Sequence, residues 1–142
     1  TVRDVLRAKG SSEVFPISPE ATVAQLLEVL AERNVGAIVV MDETEHSILG
    51  IATERDLARK LPKVDHPLQA KVEEIMSREV TFCSPNDDFK LLMETMTNRR
   101  IRHIPVVEEG HILGLVSIGD AVKYRMDQLE FERDQLTNYV HG

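Results

Sequence analysis

Apolar residues along this chain follow two periods that alternate and then return. Val23, Leu26, Leu27 and Leu30 fall on one face of a helix with a period of about 3.6 residues, and Phe89, Leu92, Met93 and Met96 do the same further on. Each stripe is followed by two short runs rich in β-branched residues, Ala37–Met41 with Ile48–Thr53 and Ile104–Val107 with Ile112–Ser117. Polar links join the runs of each pair, Asp42–Ser47 in one and Glu108–His111 in the other, the latter containing Gly110, and this predicts hairpins. Ahead of each helix, Val14–Ile17 and Val80–Cys83 predict a short strand closed by Ser-Pro, because the residue before proline is pushed out of the helical region. Thr22 and Asp88 stand at equivalent N-cap positions, and Gln25 completes a capping box with Thr22. Helices resume near Glu54 and Ile118, the first stopping at Pro62 and the second running toward the C-terminus.

The order of elements is thus written twice, and so are individual residues. At one constant offset Val14, Ser18, Pro19, Leu26, Glu28, Arg33, Ile38, Val40 and Glu43 fall on Val80, Ser84, Pro85, Leu92, Glu94, Arg99, Ile104, Val106 and Glu109. After a two-residue contraction Ile48, Leu49, Gly50 and Asp56 fall on Ile112, Leu113, Gly114 and Asp120. The segments VRDVL (Val2–Leu6) and VEEIM (Val72–Met76) share one apolar spacing, so each repeat is expected to carry its own lead-in helix. The organisation read from this is one repeat over residues 1–62, a linker over 63–71, a second repeat over 72–126 and a helical extension over 127–142. The fold class is α+β, two β-α-β-β-α repeats. One repeat alone leaves a face of its sheet uncovered, so the two sheets are expected to pack with pseudo-two-fold symmetry.

Composition narrows the partners. With 142 residues, 42% hydrophobic and 29% charged, the chain can build a core unaided. A net charge of −7 argues against nucleic acid, whose nonspecific affinity comes from many Lys and Arg contacts, and an aromatic content of 4% offers no stacking platform. The single cysteine, Cys83, excludes an internal disulfide and suits a reducing compartment, with the cytoplasm expected. No apolar run approaches the roughly 18 residues that would span a bilayer, so no membrane partner is expected.

Candidate chemistry lies where the last strand of each copy ends, at GIATERD (Gly50–Asp56) and GLVSIGD (Gly114–Asp120). Both carry a hydroxyl, Thr53 or Ser117, and three residues later a carboxylate, Asp56 or Asp120. This spacing has two readings. It is a capping box that satisfies free N–H groups at a helix start. It is also a place where a hydroxyl can donate to a phosphate while a carboxylate accepts from both hydroxyls of a ribose.

With these two segments, the NVGAIVVM and RIRHIPVV strands and the two lead-ins, the chain resembles the cystathionine-β-synthase (CBS) domain family over Thr1 to about Met126, in the form of a stand-alone bacterial tandem pair. The resemblance implies a Bateman module that binds an adenine nucleotide such as AMP, ATP or NAD(H) in clefts between the repeats. It implies ribose contacts from Asp56 and Asp120 and phosphate contacts from Thr53 and Ser117. Arg102 and His103 occupy the place where related domains put phosphate-binding basic residues, although a solvated helix end is an equal reading of them. Their first-copy equivalents, Gly36 and Ala37, are uncharged, which leaves Arg55, Arg59 and Lys9 as candidates there. Adenine would be read by the first strand and lead-in, at Phe15, Pro16, Ile17, Ile75, Met76, Val80 and Phe82.

Other residues fit structural roles: Cys83 as a small buried hydrophobe, Met76, Met93 and Met96 as core filler, and the scattered histidines without metal-binding spacing. Val122, Met126, Leu129, Leu136 and Val140 form a helical seam past the second repeat, interrupted by Arg133; with the family's pairing into discs this implies a homodimer. No phosphate-binding loop, dinucleotide fingerprint or nucleophile with an evident base is present, so a regulatory module acting through a partner protein is expected rather than an enzyme. A dimerisation module with degenerate nucleotide sites is the alternative.

Overall fold

A computed structural model describes residues 1–10, 14–44 and 46–141; of the expected hairpin link Asp42–Ser47, Glu45 lies outside the described residues. In chain order the elements are α1 (Val2–Lys9), α2 (Val23–Arg33), β1 (Ala37–Met41), β2 (Ile48–Thr53), α3 (Glu54–Lys60), α4 (Val72–Ile75), α5 (Phe89–Arg99), β3 (His103–Glu108), β4 (His111–Ser117) and α6 (Ile118–His141). Short 3-10 turns at Leu61–Lys63 and Pro67–Gln69 begin the connection between copies, where Pro62 and Pro67 sit in the first turn. Every helix and hairpin predicted from periodicity is present. Thr22 caps α2 by accepting from the Gln25 N–H, and Asp88 caps α5 by accepting from the Lys90 N–H. Both helices end on a left-handed residue, Asn34 and Arg100.

The segments expected as opening strands are reduced to single parallel bridges, Ile17 with Val40 and Cys83 with Val106. Ile17 donates to Val39 O and accepts from Met41 N, and Cys83 repeats this with Pro105 O and Val107 N. Pro16 lacks an N–H, and Ser-Pro follows both bridge residues, so neither ladder extends. The sheets are therefore two-stranded hairpins, β1 with β2 and β3 with β4, each with a bulge near its turn.

The chain divides into two compact units, and they differ from the sequence repeats. One unit spans Val14–Thr81; its core joins Leu26, Leu30, Ile38, Val40 and Ala52 to Val72, Ile75 and Met76 of the second lead-in. The other comprises Thr1–Glu13 and Phe82–Gly142; its core joins Leu92, Met96, Ile104, Val106 and Val116 to Val2, Val5 and Leu6 of the first lead-in. Each lead-in is thus lodged against the hairpin of the other repeat, not its own. Leu26, Ile75, Leu92 and Ile104 are wholly buried, and each contributes about 1.5–3 kcal/mol by leaving water.

The reason lies in the glycine of each second strand. A Cβ at Gly50 would stand 2.6 Å from Ser77 O and 2.9 Å from Met76 Sδ; one at Gly114 would stand 2.8 Å from Leu6 Cδ2. The missing side chains are the slots that receive the lead-ins. The unit containing α6 leaves a long apolar face uncovered, with Met126, Leu136 and Val140 all more than 60% exposed. No helix is long and apolar enough to cross a membrane among the described residues.

Candidate functional site

Both strand-to-helix junctions are built on one plan. Where β2 meets α3, Thr53 Oγ accepts from the Asp56 N–H at 3.1 Å, and Asp56 Oδ2 accepts from the Thr53 N–H at 3.1 Å and the Thr53 hydroxyl at 3.0 Å. Where β4 meets α6, Ser117 Oγ accepts from the Asp120 N–H at 3.0 Å and Asp120 Oδ2 from the Ser117 N–H at 2.9 Å. Both motifs are thus capping boxes.

The strand before each hairpin turn completes the junction. Gly36 O accepts from the Glu54 N–H at 2.9 Å, and Arg102 O accepts from the Ile118 N–H at 2.8 Å, so Gly36 and Arg102 are true structural equivalents. Ala37 pairs with Thr53 and His103 with Ser117 across the ladder. Arg102, His103, Ser117 and Asp120 are therefore brought together by one hairpin, with Arg102 exposed and His103 half-buried. The first copy offers no charge at these positions. Arg55 is exposed on the first turn of α3, where the second copy has Gly119.

The junctions part company at the carboxylates. Asp56 is buried, and its Oδ1 accepts from the Ser77 hydroxyl at 2.9 Å with Lys60 Nζ 3.8 Å away. Ser77 is fixed by its backbone, donating to Ile51 O at 2.8 Å and accepting from Ile51 N at 3.0 Å. Lys60 in turn caps the end of α4 through Ile75 O and Met76 O. Asp120 is more open, with 22% of its side chain exposed, and Lys9 Nζ lies 3.0 Å from its Oδ2 and 2.8 Å from Leu115 O. Burial is the largest influence on Asp120 and pushes its pKa up. It is outweighed by the Ser117 N–H and the Lys9 ammonium, which hold the group below the ordinary carboxylate range.

Lys9, considered from sequence for the first copy's junction, stands at the second copy's. Ser77 and Lys60 were missed; Lys60 is four residues after Asp56 on α3, a spacing visible in the sequence, whereas Ser77 carries no such signal. Ile17 and Met76, proposed for adenine, belong to the core of the Val14–Thr81 unit at 9% and 4% exposure. Val80 is half-buried in the same unit, and Phe82 is exposed in the other. Phe15 lies beneath the Arg33 guanidinium, 3.3 Å from its ring centroid. Cys83 packs against the core, and burial first, with Asp87 adding to it, pushes its thiol up to about 12, so no reactive thiolate forms near neutral pH. No group of metal-binding side chains occurs among the described residues.

Two junctions built on one plan, each on its own hairpin, make this a tandem-repeat protein. The profile of the CBS domain family matches residues 2–63 and 72–127, and the chain belongs to that family. It is 35% identical to the mitochondrial CBS domain-containing protein CBSX3 of Arabidopsis thaliana, over all of this chain and 72% of that protein. The crystal structure of the CBS-domain containing protein ATU1752 from Agrobacterium tumefaciens is 38% identical and superposes with a TM-score of 0.82, covering 87% of this chain and 92% of that one. The CBS domain pair of protein MJ0100, crystallised with 5′-methylthioadenosine and S-adenosyl-L-methionine, shares the fold at a TM-score of 0.77 and 22% identity, over 89% of this chain and 96% of that one.

Proposed function

We propose that this protein is a regulatory module that binds an adenine nucleotide, AMP, ATP or NAD(H), at its strand-to-helix junctions and acts through a partner protein, without catalysing a reaction. The observation that carries this reading is the junction of β4 and α6, where Ser117, Asp120, Arg102 and His103 meet around one helix start. Its chemistry suits a nucleoside phosphate: Asp120 Oδ1 accepts ribose hydroxyls while Oδ2 stays with Ser117 and Lys9, and Ser117, Arg102 and His103 face the phosphate. The adenosine compounds in the MJ0100 structure are in keeping with an adenosine ligand here. The junction at Thr53, Arg55 and Asp56 is a second site of lower affinity, because Ser77 must release Asp56 before a ribose can be accepted. Ile17, Met76, Val80 and Phe82 remain the proposed adenine contacts.

The exposed apolar face of α6 supports a homodimer. Val122, Met126, Leu129, Leu136 and Val140 keep a seam spacing along a 24-residue helix and are 44%, 64%, 48%, 67% and 75% exposed. The same face, with Asp56 closed by Ser77, is the observation that favours the second reading, a dimerisation module without working nucleotide sites. A cytoplasmic location goes with the lone, unpaired cysteine.

Calorimetric titration with AMP, ADP, ATP, NAD and NADH tests the reading. One of these is expected to bind and to stabilise the chain by about 2.7 kcal/mol at one hundred times its dissociation constant, with the effect lost in Asp120→Asn. Heatless titrations with all five, in protein that still dimerises, favour the second reading.

A further inference from the structure

Lys9 and Ser77 do the same job in the two units with different electrostatics. In the Val14–Thr81 unit the Ile51 carbonyl and the Asp56 carboxylate are both held by Ser77, through its N–H at 2.8 Å and its hydroxyl at 2.9 Å. In the other unit the equivalent pair, Leu115 O and Asp120, is held by Lys9 Nζ alone, at 2.8 and 3.0 Å. At Asp56 the contact is made by neutral dipoles, with the nearest ammonium, Lys60, 3.8 Å off and donating to Ile75 O and Met76 O, whereas at Asp120 the ammonium itself makes the contact at 3.0 Å. That charge stands at the carboxylate proposed to hold the ribose, and Arg102, whose carbonyl accepts from the first N–H of the same helix, carries a second on an exposed side chain. Against these, Asp120 supplies one negative charge. The junction therefore has a net positive charge before His103 is counted, and part of it is sheltered from solvent, since the Lys9 side chain is 32% exposed.

On the reading that an adenosine compound binds here, we infer that Lys9 sets the charge of the ligand this junction accepts, favouring adenosine with a 5′-phosphate over the uncharged thioether and rejecting the cationic sulfonium. Lys9 neutralises Asp120, so the ribose is accepted without leaving a net negative site, and the uncompensated cation is met only by a ligand that brings its own negative charge. S-adenosylmethionine, which brings a sulfonium, meets repulsion.

The test is calorimetric titration of the intact chain, its Lys9→Met variant and its Lys9→Arg variant with AMP, 5′-methylthioadenosine and S-adenosylmethionine. Methionine keeps the apolar stem and removes the charge; circular dichroism confirms that each variant is folded. The wild-type chain is expected to prefer AMP over methylthioadenosine. That preference is expected to fall about tenfold in Lys9→Met, as the junction loses one of its two cations, and to survive in Lys9→Arg. A preference unchanged within about twofold in Lys9→Met overturns the inference while leaving nucleotide binding intact. So does equal tightening of all three ligands, which makes Lys9 a plug rather than a selector. A wild-type chain that binds none of the three, nor ATP or NAD, removes the underlying reading instead.

Discussion

The junction at Asp56 and the junction at Asp120 share a capping box, a hairpin and a glycine slot, yet one is closed by a short side chain on a backbone-bridged segment and the other by a long flexible one. Ser77 reaches Asp56 from a segment bridged to Ile51 by two backbone hydrogen bonds, and Gly50 faces the Ser77 carbonyl directly. At the other junction, Lys9 reaches Asp120 with a long flexible stem, and Gly114 faces the far end of the Leu6 side chain. The short Ser77 side chain stays within reach of Asp56 as long as its segment stays bridged to Ile51, whereas the long Lys9 stem can carry its ammonium away from Asp120 by a change of rotamer. The two copies thus share the geometry of the junction and differ in how its carboxylate is held; on the proposed reading the Asp120 copy is the one that exchanges its contact for a ligand.

The largest difference is expected at the carboxylates themselves. Asp56→Ala leaves the half-buried Ser77 hydroxyl and Thr53 N–H without their acceptor and is expected to cost about 3 kcal/mol, read from the urea midpoint. Asp120→Ala is expected to cost about 1 kcal/mol, since its partners are closer to solvent and water replaces the lost contacts. Equal costs break the comparison. The glycines follow. Gly50→Ala drives a Cβ into the Ser77 carbonyl and is expected to destabilise by about 2 kcal/mol, while Gly114→Ala is absorbed by Leu6 at under about 1 kcal/mol.

The smallest effect is on acid stability. Asp120 has a lowered pKa in the folded chain, so its contribution is full above the unfolded value near 3.8 and is lost as pH falls through the folded value. Lys9→Met weakens that lowering. The midpoint of acid unfolding, followed by circular dichroism, is expected to move to higher pH; an unmoved midpoint means that the Lys9–Asp120 pair contributes nothing to folding.

Much of this was legible in the sequence because it is local. The stripes Val23–Leu30 and Phe89–Met96, the Thr22 and Asp88 caps and the two β-branched pairs each depend on near neighbours, and they formed where their pattern placed them. The hydroxyl and carboxylate spacing at Thr53 and Ser117 was equally visible, and so was the contrast of Arg102 and His103 with Gly36 and Ala37. What sequence periodicity does not carry is which hairpin a lead-in packs against. Val2–Leu6 and Val72–Met76 have interchangeable apolar faces, and only Gly50 and Gly114, far along the chain, record that each receives the other repeat's helix. The roles of Lys9 and Ser77 follow from that exchange and were hidden with it. The opening strands shrank to single bridges because their prolines, read as stops, also remove donors.

Amide hydrogen exchange with and without AMP, at a concentration that fills only the tighter site, tests the central claim most directly, because it reports both junctions in one sample. Added protection is expected at Ser117 through Asp120, with the Thr53 through Asp56 amides little changed. Protection confined to Thr53 through Asp56, or equal at both junctions, contradicts the account.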